Sequence, residues 1–313
     1  MAISLVSNMA YTGSMVLPNI IDNLTATEEK TDFLKKLLAA DGGDQSKITA
    51  SNTDALFNSL KAHRNRVAAD GGVVLSMAKT LAALLFSSEN SIAGTDFSAY
   101  AVGFGIKVSG NTITKIYDIS TNSCDLTALT GTMSKASDSG YGVLKSNATT
   151  TYISKTNAFT AANSGIILGS SSHDVDLGTL PANGVRPIML MQNAAGTGSS
   201  ATYMENNQGG TAKILFTNSA GALATLSFDQ VGANYKKYSG ISGVEKADGP
   251  SLIYENGVMK TSTAATGKNW NGISLYPAIS ISPVNAFVRE SWVINSNSET
   301  LAQALGVYLN KSA

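Results

Sequence analysis

The sequence predicts a mainly β protein, an antiparallel β-sandwich preceded by a small α-helical segment and an extended N-terminal arm. Three observations carry that expectation. From Asp96 onward, short β-branched and aromatic runs alternate with Gly, Asn and Ser turns at intervals of roughly 8–12 residues, as in a sandwich. Residues 251–261 (Ser-Leu-Ile-Tyr-Glu-Asn-Gly-Val-Met-Lys-Thr) read as a β-hairpin with its own turn. Leu252, Ile253 and Tyr254 suit a pleated strand, Asn256-Gly257 tolerates positive φ, and Val258 and Met259 begin the return. Upstream of Asp96, by contrast, apolar residues recur at helical spacing.

Taken in order, residues 1–24 carry apolar side chains without a clear period and end in Val16-Leu-Pro-Asn-Ile-Ile21. Such a segment is either an arm that docks on a neighbour or an edge strand of the protein's own sheet. Thr25-Ala-Thr-Glu28 has capping-box spacing, Phe33, Leu34, Leu37 and Leu38 share one face, and Asp41-Gly42-Gly43 supplies a stop. A second helix over about 53–69 turns Leu56, Phe57, Leu60 and Val67 inward and ends at Asp70-Gly71-Gly72. The two Ala-Asp-Gly-Gly copies are read as two left-handed helix stops, since Gly adopts that conformation at no steric cost. A third helix over 76–86 carries Met77, Leu81, Leu84 and Leu85, and residues 87–95 form a polar link. Candidate strands are 101–108, 113–117, 152–155, 166–168, 188–192, 202–205, 213–217 and 224–229, with 194–200 a glycine-rich surface loop. At the end, Ser296-Asn-Ser-Glu299 has capping-box spacing, and Leu301, Leu305, Tyr308 and Leu309 give one apolar stripe. The expected organisation is an arm over 1–24, a helical segment over 25–95, and a sandwich with its closing helix over 96–313.

Composition narrows the function classes. The 22 basic and 22 acidic residues among 313 cancel, and charged residues make up only 14%. A neutral surface has no electrostatic hold on a phosphate backbone, so nucleic acid is not an expected partner. Low net charge favours association, which suits a homo-oligomer or a packed assembly. The single Cys124 excludes an intramolecular disulfide and is read as a small semi-buried side chain. The first ten residues lack a basic, then apolar, signal pattern, and the apolar stretch 73–86 is too short and interrupted to cross a membrane. The expectation is a protein made in a cytoplasm, with no membrane partner.

The hairpin resembles the "Leu-Tyr-Val-Asn-Gly-Val" hairpin of concanavalin A-like lectin/glucanase sandwiches, the LamG-type jelly rolls. Residues 287–294 (Phe-Val-Arg-Glu-Ser-Trp-Val-Ile) are similar to the last strand of that family, and residues 296–309 to the helix that follows it. Residues 114–128 resemble its "Thr-Thr-Trp-Tyr-Asp-Gln-Ser-Gly-Asn-Gly-Asn-Asp-Ala-Thr" stretch. Tyr117, Asp118, Ser120, Asn122 and Asp125 match, whereas Ile119, Thr121 and Ser123 depart. Tyr117, Asp118, Asn256 and Gly257 are the fold-motif residues of this resemblance, which covers about 96–313. Residues 66–75 (Arg-Val-Ala-Ala-Asp-Gly-Gly-Val-Val-Leu) are similar to segments that precede such sandwiches in tailed-bacteriophage virion proteins. The resemblance implies a virion protein assembled in a host cytoplasm, with other virion proteins as partners.

Chemistry is sparse. Glycoside hydrolysis needs two carboxyl groups about 5–9.5 Å apart across the scissile bond. Sandwich glucanases supply them from a Glu-x-Asp-x-x-Glu run that this sequence lacks, leaving the isolated Glu205, Glu255 and Glu290. Glu255 is placed in a turn and Glu290 outward beside Trp292, itself read as core. His173-Asp-Val-Asp176 offers too few oxygens for calcium and is read as solvated loop acids. His63, on a helix beside Arg64 and Arg66, is read as a surface histidine, and Gly103-Phe-Gly105 lacks the third glycine of a phosphate loop. Trp270 in Lys268-Asn-Trp-Asn-Gly272 has the composition of a sugar-stacking loop, with Asn269 and Asn271 as amide contacts. That tryptophan could equally cover the sandwich end or fill a subunit contact. No catalytic residue, metal or cofactor is expected. The first expectation is a non-enzymatic structural protein of a tailed-phage head, collar or tail, acting as an accessory or decoration protein. The alternative is a carbohydrate- or host-receptor-binding module, and an unrecognised glycosidase comes third.

Overall fold

The computed structural model describes residues 17–138, 141–146, 150–154, 159–161, 163–174, 187–192, 201–207, 211–217, 223–229, 239–281 and 286–311. Residues 1–16, the 194–200 loop and Asp176 lie outside these, as do the side chains of His173, Asp174 and Glu205. The chain divides into two compact units, one running to Ser91 and taking in Gly103–Ile106, the other formed by Ile92–Val102 and Lys107–Ala313.

The first unit is helical: α1 (Leu17–Asn23), α2 (Thr27–Ala39), α3 (Ala50–Ala69) and α4 (Met77–Glu89). Leu34, Leu37 and Leu38 of α2 meet Leu56, Phe57, Leu60 and Val67 of α3 in its core, with Leu81, Leu84 and Leu85 of α4. Both Ala-Asp-Gly-Gly copies act as stops. Gly42 and Gly71 take φ of 72° and 76°, and the next glycine's N–H reaches back to Leu38 O at 3.0 Å and Val67 O at 2.9 Å.

Several expectations change in this unit. The end of the expected arm is helical, because Ile21 buries to 1% exposure and Asp22 is held by Arg64 at 2.7 Å. The guanidinium of Arg64 lowers the Asp22 carboxyl below its usual range. No capping box forms at Thr25, since α2 starts at Thr27 behind Ala26. Helix α3 instead begins three residues before the expected start, where Asn52 Oδ1 accepts from the Thr49 N–H at 2.9 Å. His63 is buried rather than exposed: its Nε2 lies 2.7 Å from the Phe104 carbonyl, which can only accept, so Nε2–H donates. The expected strand 101–108 is interrupted because residues 103–106 turn back to this unit, with Leu75 and Ser76 N–H both donating to Gly103 O.

The second unit is a β-sandwich. Its strands are β1 (Phe97–Ala101), β2 (Ile106–Ser109), β3 (Thr112–Ile116), β4 (Leu126–Thr130), β5 (Met133–Asp138), β6 (Tyr141–Ser146), β7 (Thr150–Ser154), β8 (Phe159–Thr160) and β9 (Ile166–Asp174). Then follow β10 (Pro187–Gln192), β11 (Ala201–Asn207), β12 (Thr211–Thr217), β13 (Leu223–Asp229), β14 (Ser239–Glu245), β15 (Ser251–Glu255), β16 (Val258–Thr263), β17 (Ser274–Ile281) and β18 (Ala286–Ile294). One antiparallel ladder runs β16–β15–β14–β9–β18–β1. The other runs β4–β7–β17–β10–β11–β12–β13. Strands β10, β11 and β13 of the second pack over β9, β18, β15 and β16 of the first, enclosing a core that contains Ile241, Leu168, Val293 and Ile253. The hairpin forms as expected: β15 and β16 close with Glu255 opposite Val258, and Asn256 and Gly257 take φ of 53° and 80°.

Helix α5 (Glu299–Lys311) covers the outer face of β9, β14 and β15. It comes close because that face is built of small residues. A Cβ on Gly240 would stand 2.2 Å from Gly306 O, and one on Gly169 2.5 Å from Leu305 Cδ2. Ser242 Oγ donates to Ala302 O at 2.6 Å, while Leu305 and Leu309 are fully buried. The cap is Ser298, whose Oγ accepts from Leu301 N–H at 3.2 Å, not Ser296 as the spacing suggested. Among the described residues no helix is long and apolar enough to cross a membrane.

Candidate functional site

Every glutamate singled out by the sequence whose side chain is described is committed to the fold. Glu290 is buried, not outward, and accepts from Trp292 Nε1 at 2.5 Å. That indole stacks on Phe97 with centroids 5.1 Å apart and meets Tyr308 of α5 edge-on. Glu255 ends β15 rather than sitting in the turn, and takes Ser239 Oγ at 3.2 Å and Lys260 Nζ at 3.1 Å.

Asp118 is the most heavily bonded carboxylate described. Oδ1 accepts from Ala99 N–H (3.1 Å) and Ser120 N–H (3.0 Å), and Oδ2 from Ser98 Oγ (2.9 Å), Ser120 Oγ (2.6 Å) and Cys124 N–H (3.0 Å). Burial pushes its pKa up, against the pull of these donors. Asp125 accepts from Asp118 N–H, and Asn122 Nδ2 caps the Thr95 and Phe97 carbonyls. Ser123, which stands where the resembled pattern has glycine, takes the positive φ itself at 53°. Tyr117 is buried beneath Lys115, whose Nζ lies 4.8 Å from the ring centroid, and Cys124 is fully buried rather than semi-buried. This loop spells an oxygen-rich run in sequence, yet its acceptors face the protein's own donors. It closes β3 onto β1.

The arrangement that faces solvent is the end of the sandwich around Trp270. Trp270 is 1% exposed, so its ring is no platform for a sugar, and the stacking expectation is corrected. Its size and one N–H donor explain this: the indole plugs the sandwich end and Nε1 donates to Glu245 Oε2 at 3.0 Å. Lys268 lies across the ring, its Nζ 5.2 Å from the centroid. The flanking backbone is tied at each step. Thr266 N–H donates to Lys246 O (3.2 Å), Gly272 N–H to Ala161 O (2.7 Å) and Ile273 N–H to Trp270 O (2.9 Å). Asn271 N–H donates to Asn269 Oδ1 at 3.0 Å, an Asx turn that sets both residues on the surface.

Two further amide-bearing segments join them. The Trp270 N–H reaches Ser164 O at 3.4 Å, which puts Asn163 beside the loop. Asn163 is bonded to the buried Asn295 through its N–H (3.0 Å, to Oδ1) and Nδ2 (2.8 Å, to O). A Cβ on Gly165 would stand 2.7 Å from Asn297 Cβ, so exposed Asn297 belongs to the same end. Lys246 there is paired with Glu299. The end is thus a rigid, amide-rich surface with little net charge. Amides offer donors and an acceptor together, the pattern a sugar hydroxyl can meet from either side. Asn269 and Asn271 were legible from the loop composition. Asn163, Asn297 and Glu245 were not, because they arrive from segments distant in sequence.

No protein-family model matches the sequence, and no curated protein is similar to it in sequence. Solved structures do share the fold. The ligand-binding domain of botulinum neurotoxin serotype D in complex with N-acetylneuraminic acid superposes with a TM-score of 0.50 at 13% identity, over 71% of this chain and 52% of that one. The receptor-binding domain of the mosaic serotype C/D superposes with a TM-score of 0.51 at 12% identity, over 69% and 50%. This chain therefore spans about half the length of these neighbours, and at such identity the likeness establishes a shared β-sandwich fold.

Proposed function

We propose that this protein is a non-enzymatic recognition module that binds a hydroxyl-rich ligand, a cell-surface glycan, at the amide-lined end of its sandwich. The observation that carries this reading is the loop around Trp270: a buried indole and a chain of backbone bonds hold Asn269 and Asn271 outward in fixed positions. Preorganised polar groups lose little entropy on binding, which is what recognition of a well-hydrated sugar requires. Glu245 and Glu290 serve as acceptors for buried indoles, a structural employment that supports binding without hydrolysis. A sandwich of this kind makes up about half of a toxin ligand-binding domain whose complex with N-acetylneuraminic acid is known, a precedent for pairing this fold with glycan recognition within one domain.

We place the module on a tailed-phage virion on the strength of the likeness of residues 66–75 to segments of such proteins. Its other partners there are virion proteins, and a neutral surface favours that packing.

A glycan array probed with the full chain tests the binding reading. Binding to a defined glycan class that is lost in the Asn269→Ala/Asn271→Ala variant is the expected result. Binding that survives the double substitution would move the site elsewhere on the sandwich, and release of reducing sugar would replace the reading with an enzyme. The placement is tested separately, by mass spectrometry of purified particles.

A further inference from the structure

The hairpin turn that anchors α5 is also a chemically labile dipeptide. Asn-Gly is prone to lose ammonia because glycine leaves the following backbone nitrogen unhindered, and asparagine is among the thermolabile residues. Asn256 is solvent-exposed, so water reaches it. Its reactive groups are nevertheless held. Asn256 Oδ1 accepts from the Gly240 N–H at 2.8 Å, and its own N–H donates to Gly240 O at 2.7 Å. On the other side, Gly257 is buried beneath α5: Gln303 Nε2 donates to Gly257 O at 2.9 Å. A Cβ on Gly257 would stand 2.2 Å from Val307 Cγ2, and one on Gly306 3.0 Å from Gly257 N. Neither residue can turn about the shared peptide without breaking these contacts.

We infer that Asn256 is a deamidation site held in check by the docking of α5, so that undocking of the helix is recorded as an irreversible change in the turn. In the reaction, Gly257 N attacks Asn256 Cγ, a C–N bond forms, and the Cγ–Nδ2 bond breaks. The Gly257 proton leaves with Nδ2 as ammonia. Water then opens the cyclic imide at one of its two carbonyls, giving aspartate or isoaspartate. Either product places a new carboxylate where an amide accepted from Gly240, and isoaspartate also lengthens the backbone of a two-residue turn. Aspartate keeps an acceptor for the Gly240 N–H, so it is the isoaspartate product, with its longer backbone, that opposes redocking of α5. The Asn271-Gly272 pair, whose glycine is tied through its N–H to Ala161 O and not through Gln303, is an internal control.

The experiment is peptide mapping with isoaspartate detection on the full chain, held at mildly alkaline pH and sampled over weeks. Three samples are compared: the folded protein, the same chain in urea, and the folded Gln303→Leu variant. Asn256 in the folded protein should convert about ten-fold or more slowly than in urea, because reaction requires local opening. Gln303→Leu should speed Asn256 several-fold while leaving Asn271 at its folded rate. Equal Asn256 rates in the folded and urea samples would overturn the inference. So would a Gln303→Leu rate equal to that of the unsubstituted chain, or acceleration of Asn256 and Asn271 in parallel, which would report general loosening. If Gln303→Leu fails to fold, Val307→Asp replaces it with the same expected and overturning outcomes.

Discussion

Two loops of the sandwich use the same side-chain chemistry to opposite ends. In the loop after β3, Asp118, Ser120 and Asn122 turn inward, and every acceptor on Asp118 meets a backbone or hydroxyl donor. In the loop before β17, Asn269 folds back on the Asn271 N–H but leaves the rest of both amides toward water, while the apolar Trp270 between them goes in. The difference teaches that a polar run is a fold determinant when its carboxylate is buried and is left open to solvent when its bulk residue is buried instead. Burial of a charged oxygen demands complete partnering, whereas an exposed amide costs nothing to leave open.

The comparison breaks most readily at Asp118. Replacing it with Ala leaves the buried Ala99, Ser120 and Cys124 N–H groups without an acceptor, and each such orphan costs on the order of 1–3 kcal/mol. Asp118→Ala should therefore lose at least about 3 kcal/mol in urea denaturation. A loss within that of an ordinary surface substitution would mean the loop is not a determinant of the fold.

Gly257→Val probes the other anchor of the sandwich. A β-branched residue at a φ of 80° is strained, and its Cβ meets Val307, so about 2 kcal/mol or more should be lost. Thermal unfolding reads this directly, and α5 should become more accessible to protease in the same variant. An unchanged midpoint would contradict the tight packing of α5 on the turn.

Much of the fold was legible because it rests on local signals. The Asn256-Gly257 turn, the two glycine stops at Gly42 and Gly71, and the stripe of Leu305 and Leu309 all depend on neighbours within a few residues. The failures share a cause as well. His63 looked exposed because its acceptor, the Phe104 carbonyl, is 41 residues away. Trp270 looked like a stacking platform because Glu245, which takes its N–H, is 25 residues upstream. Of the candidate site, the sequence showed the amides and not the direction of the indole. Direction is set by tertiary partners, and those are not written in the local composition.

Trp270→Phe sharpens the contrast from the side of the Trp270 loop. The ring still fills the end of the sandwich, but the Nε1–H donor to Glu245 is gone. The expected loss is about 1–2 kcal/mol, smaller than at Asp118 because one bond is removed rather than several. Glycan binding should weaken in the same variant without a change of specificity, since Asn269 and Asn271 remain but their support is looser. Stability and binding both unchanged would show that the loop is held by its backbone bonds alone.

The smallest effect on stability is expected where the effect on function is largest. Asn269 and Asn271 are exposed, and the one described bond between them, Asn271 N–H to Asn269 Oδ1, lies at the surface where water can replace it. Truncating both to Ala removes no buried contact, so the unfolding free energy should stay within about 0.5 kcal/mol of the unsubstituted chain. The same change deletes the outward donors and acceptors that a sugar hydroxyl would meet, and measurable glycan binding should disappear. The two readouts must be taken on one preparation, because only their separation is informative. Binding lost together with several kcal/mol of stability would make the amides part of the scaffold, as Asp118 is, and the distinction between the two loops would fail. Binding lost at constant stability would locate recognition at the exposed amides, with Trp270 as the buried pin that holds them there.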